Sequence, residues 1–420
     1  MLVLLAAPLI FPNAPAPDYA GCPLTRVEIA MVGDTMMHGM QLKAARQKDG
    51  SYSLDGVFDE VEPYLSSVDL AITNLETVTA GPDQGFAGFP LFNSPVALLD
   101  ALKDTGFDIL QTANNHCLDR GELGAMRTLD AVDERGFGRS GTYRSREERE
   151  RPWTMQSLAG GLDVAFIGYT FSTNREAIPR GKPWMVNMLD LGQMDRDVIE
   201  ARRAGAELVI VGIHWGVEYR DQPEAHMVWL ADRIVAAGAD IIMGTHPHVV
   251  QPTIVRHARN EYGEQRDALV IYSLGNFVSN QRVFRREGSL IVRVEVLHCE
   301  AMNRTWISDV RFTPTWVDDR LVNGKRGFRV LPTTQTDVCD DLDVTPTECK
   351  RQIRHRKHLA TLYDASQFDW STDTVEEIPV PAFDPTGWML YSPFSYFAAA
   401  DWEVAGGEAG AVEADRVGAP

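Results

Sequence analysis

Residues 239–252, ADIIMGTHPHVVQP, run an apolar segment from Ile241 to Met243 into Gly244 and then set His246 and His248 either side of Pro247. Its shortness and β-branched content make the apolar part a buried strand. Polar, ligand-type side chains at the C-terminal end of such a strand mark the place where sites assemble in open α/β sheets. Taken alone, the segment supports two readings. It is either a turn that holds two imidazoles or half of a metal site. A proline-fixed turn can bring both rings to one cleft.

The same pattern recurs along the chain. Strands are expected over RVEIAMVGD (26–34), DLAITNLET (69–77), DILQTANNH (108–116), DVAFIGYT (163–170) and AELVIVGIH (206–214). Between them lie helical patterns: VFDEVEPYLSSV (57–68), SPVALLDALKDTGF (94–107), GELGAMRTLDAVDERG (121–136), MDRDVIEARRAG (194–205) and MVWLADRIVAAG (227–238). In the second of these, Ser94 is the expected N-cap and Pro95 opens the first turn. ALVIYSLGNF (268–277) and SLIVRVEVLH (289–298) are strands without a helix between them, which predicts a second sheet or an antiparallel edge. The fold class is therefore α/β. Residues 1–25 are expected to be a leader, 26–319 a catalytic-type domain, 320–400 an irregular appendage with one basic helix, and 401–420 a disordered tail.

Composition narrows the function. The chain has 420 residues and a formal charge of −19, from 40 Lys and Arg against 59 Asp and Glu. That charge repels a phosphate backbone, and no local basic groove compensates it, so nucleic acid is excluded as a partner. Metal ions in one cleft would override the global field locally, which leaves acidic substrates open. Five cysteines without CxxC spacing support neither a zinc ribbon nor a dense disulfide framework. Two readings stand for Cys339 and Cys349: a local disulfide staple in an oxidising compartment, or two exposed thiols. The apolar run Leu2–Phe11 is too short to span a bilayer and fits the core of an export signal or anchor, though without the usual basic start. The segment YAGC, ending at Cys22, resembles a lipoprotein processing site. Its alternative is a first strand or a proline-rich leader. An extracytoplasmic, membrane-anchored protein is the expectation; no other segment is long and apolar enough to cross a membrane.

Each candidate site residue has a plain structural reading beside the functional one. Asp34 follows a glycine and reads as a turn former; Glu76 reads as a surface carboxylate. Asn114, Asn115 and His116 at one strand end need partners if buried, with helix capping by an asparagine as the alternative. Cys117 reads as a small buried hydrophobe. His214, followed by Trp215, reads singly as a buried histidine satisfied by backbone. Asn276 sits at a glycine turn, and Asn74 precedes Glu76 by two residues. Collectively the plain readings fail, because six strand ends would each have acquired a ligand-type residue independently. Carboxylates, an amide oxygen and imidazoles together make the ligand set of a divalent ion, and two such ions can share a bridging carboxylate.

The segments GDTMMHG, AITNLET, FNSPVALLDALKDTGFDILQTANNHCLDRG, GIHWGVEY, GADIIMGTHPHVVQP and YSLGNFVSNQ occur in this order across roughly Val27–Asn280. In them the chain resembles the bacterial CapA/PgsA capsule-synthesis proteins, associated with poly-γ-glutamate, within the calcineurin-like metallophosphoesterase superfamily. The resemblance implies a layered α/β sandwich with two central mixed sheets flanked by helices. It implies one or two divalent ions (Mn, Fe or Zn), with Asp34 and His248 on one, Asn115, His214 and His246 on the other, and Glu76 bridging. His116 would protonate the leaving oxygen, and Asn74, Asn114, Trp215 and Asn276 would contact substrate or support the ligands. It further implies an anionic polymer or phosphoester as substrate and membrane capsule-synthase subunits as partners. Two alternatives of other classes are a free-standing metal-dependent phosphoesterase and a non-catalytic scaffold binding polymer or synthase. Two departures from the superfamily pattern weaken the first metal site. Asp34 is followed by Thr35 and Met36 rather than by a histidine at the second position, leaving His38 out of step, and Glu76 stands where an Asp is usual.

Overall fold

Strand β1 (Thr25–Thr35) organises the first of two sheets, because its two faces feed two different cores. Val27, Ile29 and Met31 point to the layer between the sheets, while Ala30 and Val32 pack outward under helices, the period-2 alternation of a strand buried on both sides. The computed structural model describes residues 9, 11, 12, 14, 22–259, 265–322, 325–333, 339 and 344–363.

Parallel to β1 run β2 (Leu70–Leu75), β3 (Ile109–Gln111) and β4 (Gly138–Ser140) in that order. The second sheet is ordered β5 (Trp153–Ser157), β6 (Asp163–Thr170), β7 (Leu208–His214), β8 (Ile241–Thr245), β10 (Gln265–Ile271) and β9 (Thr253–Arg259). Its centre, β6 to β8 and β10, is parallel, and β5 and β9 are antiparallel edges. The chain then crosses back. β11 (Asn276–Val278) lies parallel to the end of β1, and β12 (Leu290–Cys299) runs antiparallel along its other part. β13 (Arg304–Val322) and β14 (Lys325–Pro332) extend that side.

Helices close both outer faces. α1 (Gly39–Ala45), α3 (Ala97–Asp104) and α4 (Gly121–Glu134) bury Leu42, Leu98, Leu99, Leu102 and Val132 on the first sheet. α6 (Leu191–Arg203) and α7 (Ala225–Ala237) bury Met194, Val198, Leu230 and Ile234 on the second. Each fully buried aliphatic side chain contributes roughly 1.5–3 kcal/mol relative to exposure, so the three apolar layers, not local propensity, hold the stack together. The expected α/β sandwich of two mixed sheets flanked by helices is the observed one.

Local expectations differ in three places. The helix expected over 57–68 shrinks to the single turn α2 (Glu62–Leu65). The Val57 carbonyl, which such a helix would use, accepts instead from Val330 N–H at 2.7 Å, and Pro63 has no N–H to add. Ser94 does not cap α3, which starts at Ala97; its hydroxyl meets Thr77 Oγ1 at 2.9 Å. Asp34 is not in a turn but within β1. There a Cβ on Gly33 would meet the Gly275 carbonyl oxygen at 1.9 Å, so only glycine admits the β11 backbone, and Asp34 N–H donates to that same oxygen at 2.9 Å.

The boundary expected at residue 319 falls inside β13, and β14 continues the same sheet. The expected basic helix is α8 (Pro346–Leu359), capped by the Thr345 hydroxyl and packed so that Leu359, Leu362 and Tyr363 join the layer between the sheets. α5 (Arg146–Arg149) is a single turn at the surface. Most of the expected leader and all of the tail lie outside the described residues.

Cys339 and Cys349 are disulfide-bonded, and Cys117 is free and buried. Cys22 pairs with Cys299 across 277 residues of chain, which corrects the lipid-bearing reading of YAGC: one sulfur does not carry both a disulfide and a thioether. Among the described residues no helix is long and apolar enough to cross a membrane.

Candidate metal centre

The C-terminal ends of both parallel strand sets meet at one cleft. In the first sheet Asp34 pairs in register with Asn74, and Asn74 with Gln111. In the second His214 pairs with Thr245. Glu76 follows β2; Asn114, Asn115 and His116 follow β3; and His246 and His248 follow β8. All of these side chains are buried, and Asp34, Asn74, Glu76 and His214 have no solvent exposure.

Their polar atoms interlock. Asn74 Nδ2 donates to Asp34 Oδ1 at 2.8 Å, and Asn114 Nδ2 donates to Asn74 Oδ1 at 3.2 Å and to the Leu75 carbonyl at 2.7 Å. His214 Nε2 lies 3.0 Å from Asn115 Oδ1 and 3.1 Å from His246 Nδ1, while its Nδ1 is 3.0 Å from the Thr245 hydroxyl. His248 Nδ1 lies 3.1 Å from Asp34 Oδ2 and 3.0 Å from Asn276 Oδ1. Asn74 and Asn114 thus position the first-sheet ligands, and Asn276 orients His248.

The two histidines of the opening segment reach this cleft through strained backbone. His246 has φ 99° and His248 φ 57°, left-handed values that cost a non-glycine residue roughly 1–3 kcal/mol each. Their ring centroids end 5.8 Å apart. The strain persists because His246 N–H is tied to Asp34 Oδ2 at 3.3 Å and Pro247 fixes the residue between.

Glu76 decides the chemistry of the centre. Both its carboxylate oxygens are buried without a hydrogen-bond partner, in a class of group that is almost always paired. Oε1 lies 3.6 Å from His214 Nε2 and 3.8 Å from His248 Nε2. Glu76, His246 and His248 form one group whose ligand atoms lie within 4.8 Å of each other, and Asp34, Glu76 and His214 form another. Glu76 is common to both, the place of a bridging ligand. The pairs expected to share an ion are adjacent as well, Asp34 Oδ2 lying 3.1 Å from His248 Nδ1 and His246 Nδ1 3.1 Å from His214 Nε2.

Electrostatics follow from burial. Burial, then the charge of Asp34, pushes the Glu76 carboxyl well above the usual range. Burial, then the neighbouring histidines, holds His214 and His246 well below the ordinary imidazole value, so both are neutral with lone pairs to offer. Burial opposes charge on His248 too, but the hydrogen bond to Asp34 and its charge outweigh it and raise the pKa. Unpaired carboxylate, neutral imidazoles and an amide oxygen fit a divalent cation, which would replace the missing partner of Glu76 and favour its ionised form.

His116 stands beside the ligands with its Nδ1 2.7 Å from Asp119 Oδ2, and the Phe92 ring edge packs on it at 4.7 Å. Asp119 is a supporting residue that sequence reading missed, although its position three residues after His116 in NNHCLDRG was visible. His38 reaches the same wall: its ring packs on Phe92 at 5.3 Å and its Nδ1 accepts from Asn280 N–H at 3.2 Å. Burial lowers its pKa to about 4, with the His248 charge adding to the effect. Trp215 is not brought to the cleft. Its indole is buried, stacked 6.1 Å from Tyr272, and donates to the Tyr272 carbonyl at 3.0 Å, because the residue after His214 faces the opposite side of the strand.

Relatives place this arrangement. The chain is 30% identical over 278 residues to "Capsule biosynthesis protein CapA" of Bacillus anthracis, covering 64% of this chain and 63% of that one. It is 29% identical over 272 residues to "PGA biosynthesis protein CapA" of Bacillus subtilis, covering 63% and 66%. The match thus spans about two thirds of the length of these relatives. Among solved structures, the calcineurin-like phosphoesterase YfkN of Bacillus subtilis is similar at 12% identity and TM-score 0.41, covering 80% of this chain and 98% of that one. The NAD nucleotidase NadN of Haemophilus influenzae is similar at 13% and 0.44, covering 82% and 65%. Neither likeness bears on the chemistry of the cleft. Residues 28–281, more than half of the chain and the whole of the cleft except its outer supports, match the family described as bacterial capsule synthesis protein PGA_cap, and the chain belongs to that family.

Proposed function

We propose that the protein acts outside the cytoplasm in the synthesis or export of an anionic capsule polymer such as poly-γ-glutamate, using a divalent metal centre to cleave an ester or amide bond. The observation that carries this reading is the buried Glu76 carboxylate, unpaired and within reach of His214 and His248, in a chain of the capsule-synthesis family. Asp34, Glu76, Asn115, His214, His246 and His248 would hold one or two ions, with Mn, Fe and Zn all compatible with this donor set. Such an ion would stabilise negative charge developing on the attacked group and lower the pKa of water. The chain's own residues do the rest. Asn74, braced by Asn114, locks the Asp34 carboxylate, Thr245 and Asn276 orient the imidazoles, and His116, held by Asp119, delivers a proton to the leaving group.

Two disulfides fit an oxidising compartment, which supports export. Membrane association and contact with capsule-synthase subunits belong to the same proposal. A free-standing phosphoesterase is the second reading, favoured by a centre assembled within one chain with a paired proton donor at His116. Turnover of generic phosphodiesters by the isolated protein would select it. A non-catalytic scaffold has less support, since nothing in scaffold duty requires strained histidines.

Elemental analysis of purified wild type and His246→Ala, after loading with Mn, Fe or Zn, tests the centre. Wild type retains near-stoichiometric metal through dialysis, and the variant loses at least about tenfold in affinity. Equally negligible metal in both proteins removes the metal-centre reading and leaves the scaffold.

A further inference from the structure

We propose that Arg286 is the anion-recognition residue of this cleft, holding an acidic group of the substrate, a carboxylate or phosphate, beside His248; the inference rests on the reading of the site given above. The turn between β11 and β12 carries three arginines that meet different fates. Arg282 is paired with Glu348 and Arg285 with Asp221. Arg286 has no carboxylate within 4.0 Å among the described residues, although it is half-buried. The exposed Glu218 contributes charge nearby but lies outside ion-pair range.

Arg286 stacks on an aromatic ring instead. Its guanidinium carbon is 3.2 Å from the centroid of Tyr219, and the Tyr219 ring lies 6.0 Å from that of His248. Tyr219 is fixed in turn, with φ 69° and its N–H donating to the carbonyl of Pro247, between the two histidines, at 2.7 Å. The backbone of Arg286 is wired to the same histidine: its carbonyl accepts from Asn276 Nδ2 at 2.8 Å, and Asn276 Oδ1 meets His248 Nδ1 at 3.0 Å. Side chain and main chain therefore both tie Arg286 to His248.

A guanidinium stacked through its face keeps its N–H edges free, and those edges match the two oxygens of a carboxylate or phosphate. Stacking also restricts the rotamers that binding would otherwise have to freeze. In a chain of charge −19, an unpaired cation at the cleft supplies the local attraction for an anionic substrate that the global field lacks.

Calorimetry on the metal-loaded full chain tests this, with three probes: a γ-linked glutamate oligomer, the same oligomer with its α-carboxylates converted to amides, and inorganic phosphate. Arg286→Gln is expected to weaken the acidic oligomer by about tenfold to a hundredfold, leave the neutral oligomer and the metal content unchanged, and be partly rescued in Arg286→Lys. Unchanged affinity for both the acidic oligomer and phosphate overturns the proposal. A loss shared by the neutral oligomer, or one that tracks metal content, overturns it too by assigning Arg286 to structure. Wild type binding phosphate alone, with that binding lost in Arg286→Gln, keeps Arg286 as the anion site and removes the polymer reading. Wild type binding neither anion overturns both.

Discussion

At the scale of single residues, His116 takes its proposed task from what its other nitrogen touches. Asp119 Oδ2 at 2.7 Å from Nδ1 orients the ring and leaves Nε2 as the working atom. That carboxylate is itself held, since it also accepts from Phe92 N–H at 2.6 Å. Whichever ester or amide bond the metal-loaded protein cleaves, His116→Gln is expected to lower its turnover by about two to four orders of magnitude without reducing bound metal. Asp119→Asn should lower it by about tenfold to a hundredfold. Steady-state kinetics alongside elemental analysis reads both, and wild-type turnover in His116→Gln would remove the acid from the mechanism. His38 teaches the opposite lesson. It is out of step in sequence because it sits at the start of α1, yet that helix returns its ring to the same wall as His116 through Phe92.

At the scale of elements, the Cys22–Cys299 bond ties the segment entering β1 to the far end of β12, the strand hydrogen-bonded to it. Closing a loop of 277 residues removes conformational freedom from the unfolded chain, a contribution of about 5.6 kcal/mol in the chain-entropy model and less where the unfolded state keeps structure. Cys22→Ser is accordingly expected to lower unfolding free energy by roughly 2–5 kcal/mol in urea titrations without reductant, with the metal content of the folded protein intact. An unchanged midpoint would show that the sheet, not the bond, fixes the entry to β1. The Cys339–Cys349 staple spans only 10 positions and ends in the first turn of α8, and its loss should matter less.

At the scale of the whole molecule, burial of neutral histidines sets the acid limit. Burial holds His355, on the buried face of α8 and against Trp316, at about 3, and His38 at about 4, against an ordinary 6.5. Below about pH 6.5 the unfolded chain takes up these protons while the folded chain does not, so the unfolded state binds more and stability falls with falling pH. Each group contributes up to about 1.4 kcal/mol per pH unit between 6.5 and its folded value. Urea titrations at about pH 7 and pH 5 should show that loss, and His355→Gln should flatten it. A slope unchanged by that substitution would place the acid sensitivity elsewhere. The sequence by itself determined the α/β class, the strand ends that carry Asp34, Glu76, Asn115, His214, His246 and His248, and the pairing of polar ends with apolar runs, because hydrophobic periodicity and residue chemistry are local. It also offered the Cys339–Cys349 pair as one of two readings. Only the tertiary structure decided which ends face each other, that Trp215 belongs to the core, that Cys22 meets Cys299, that Asp119 holds His116, and that Arg286 lies over Tyr219. Those contacts span up to hundreds of residues, and they exist only once two sheets have stacked and a strained turn has aimed both rings of GTHPH at the Glu76 carboxylate.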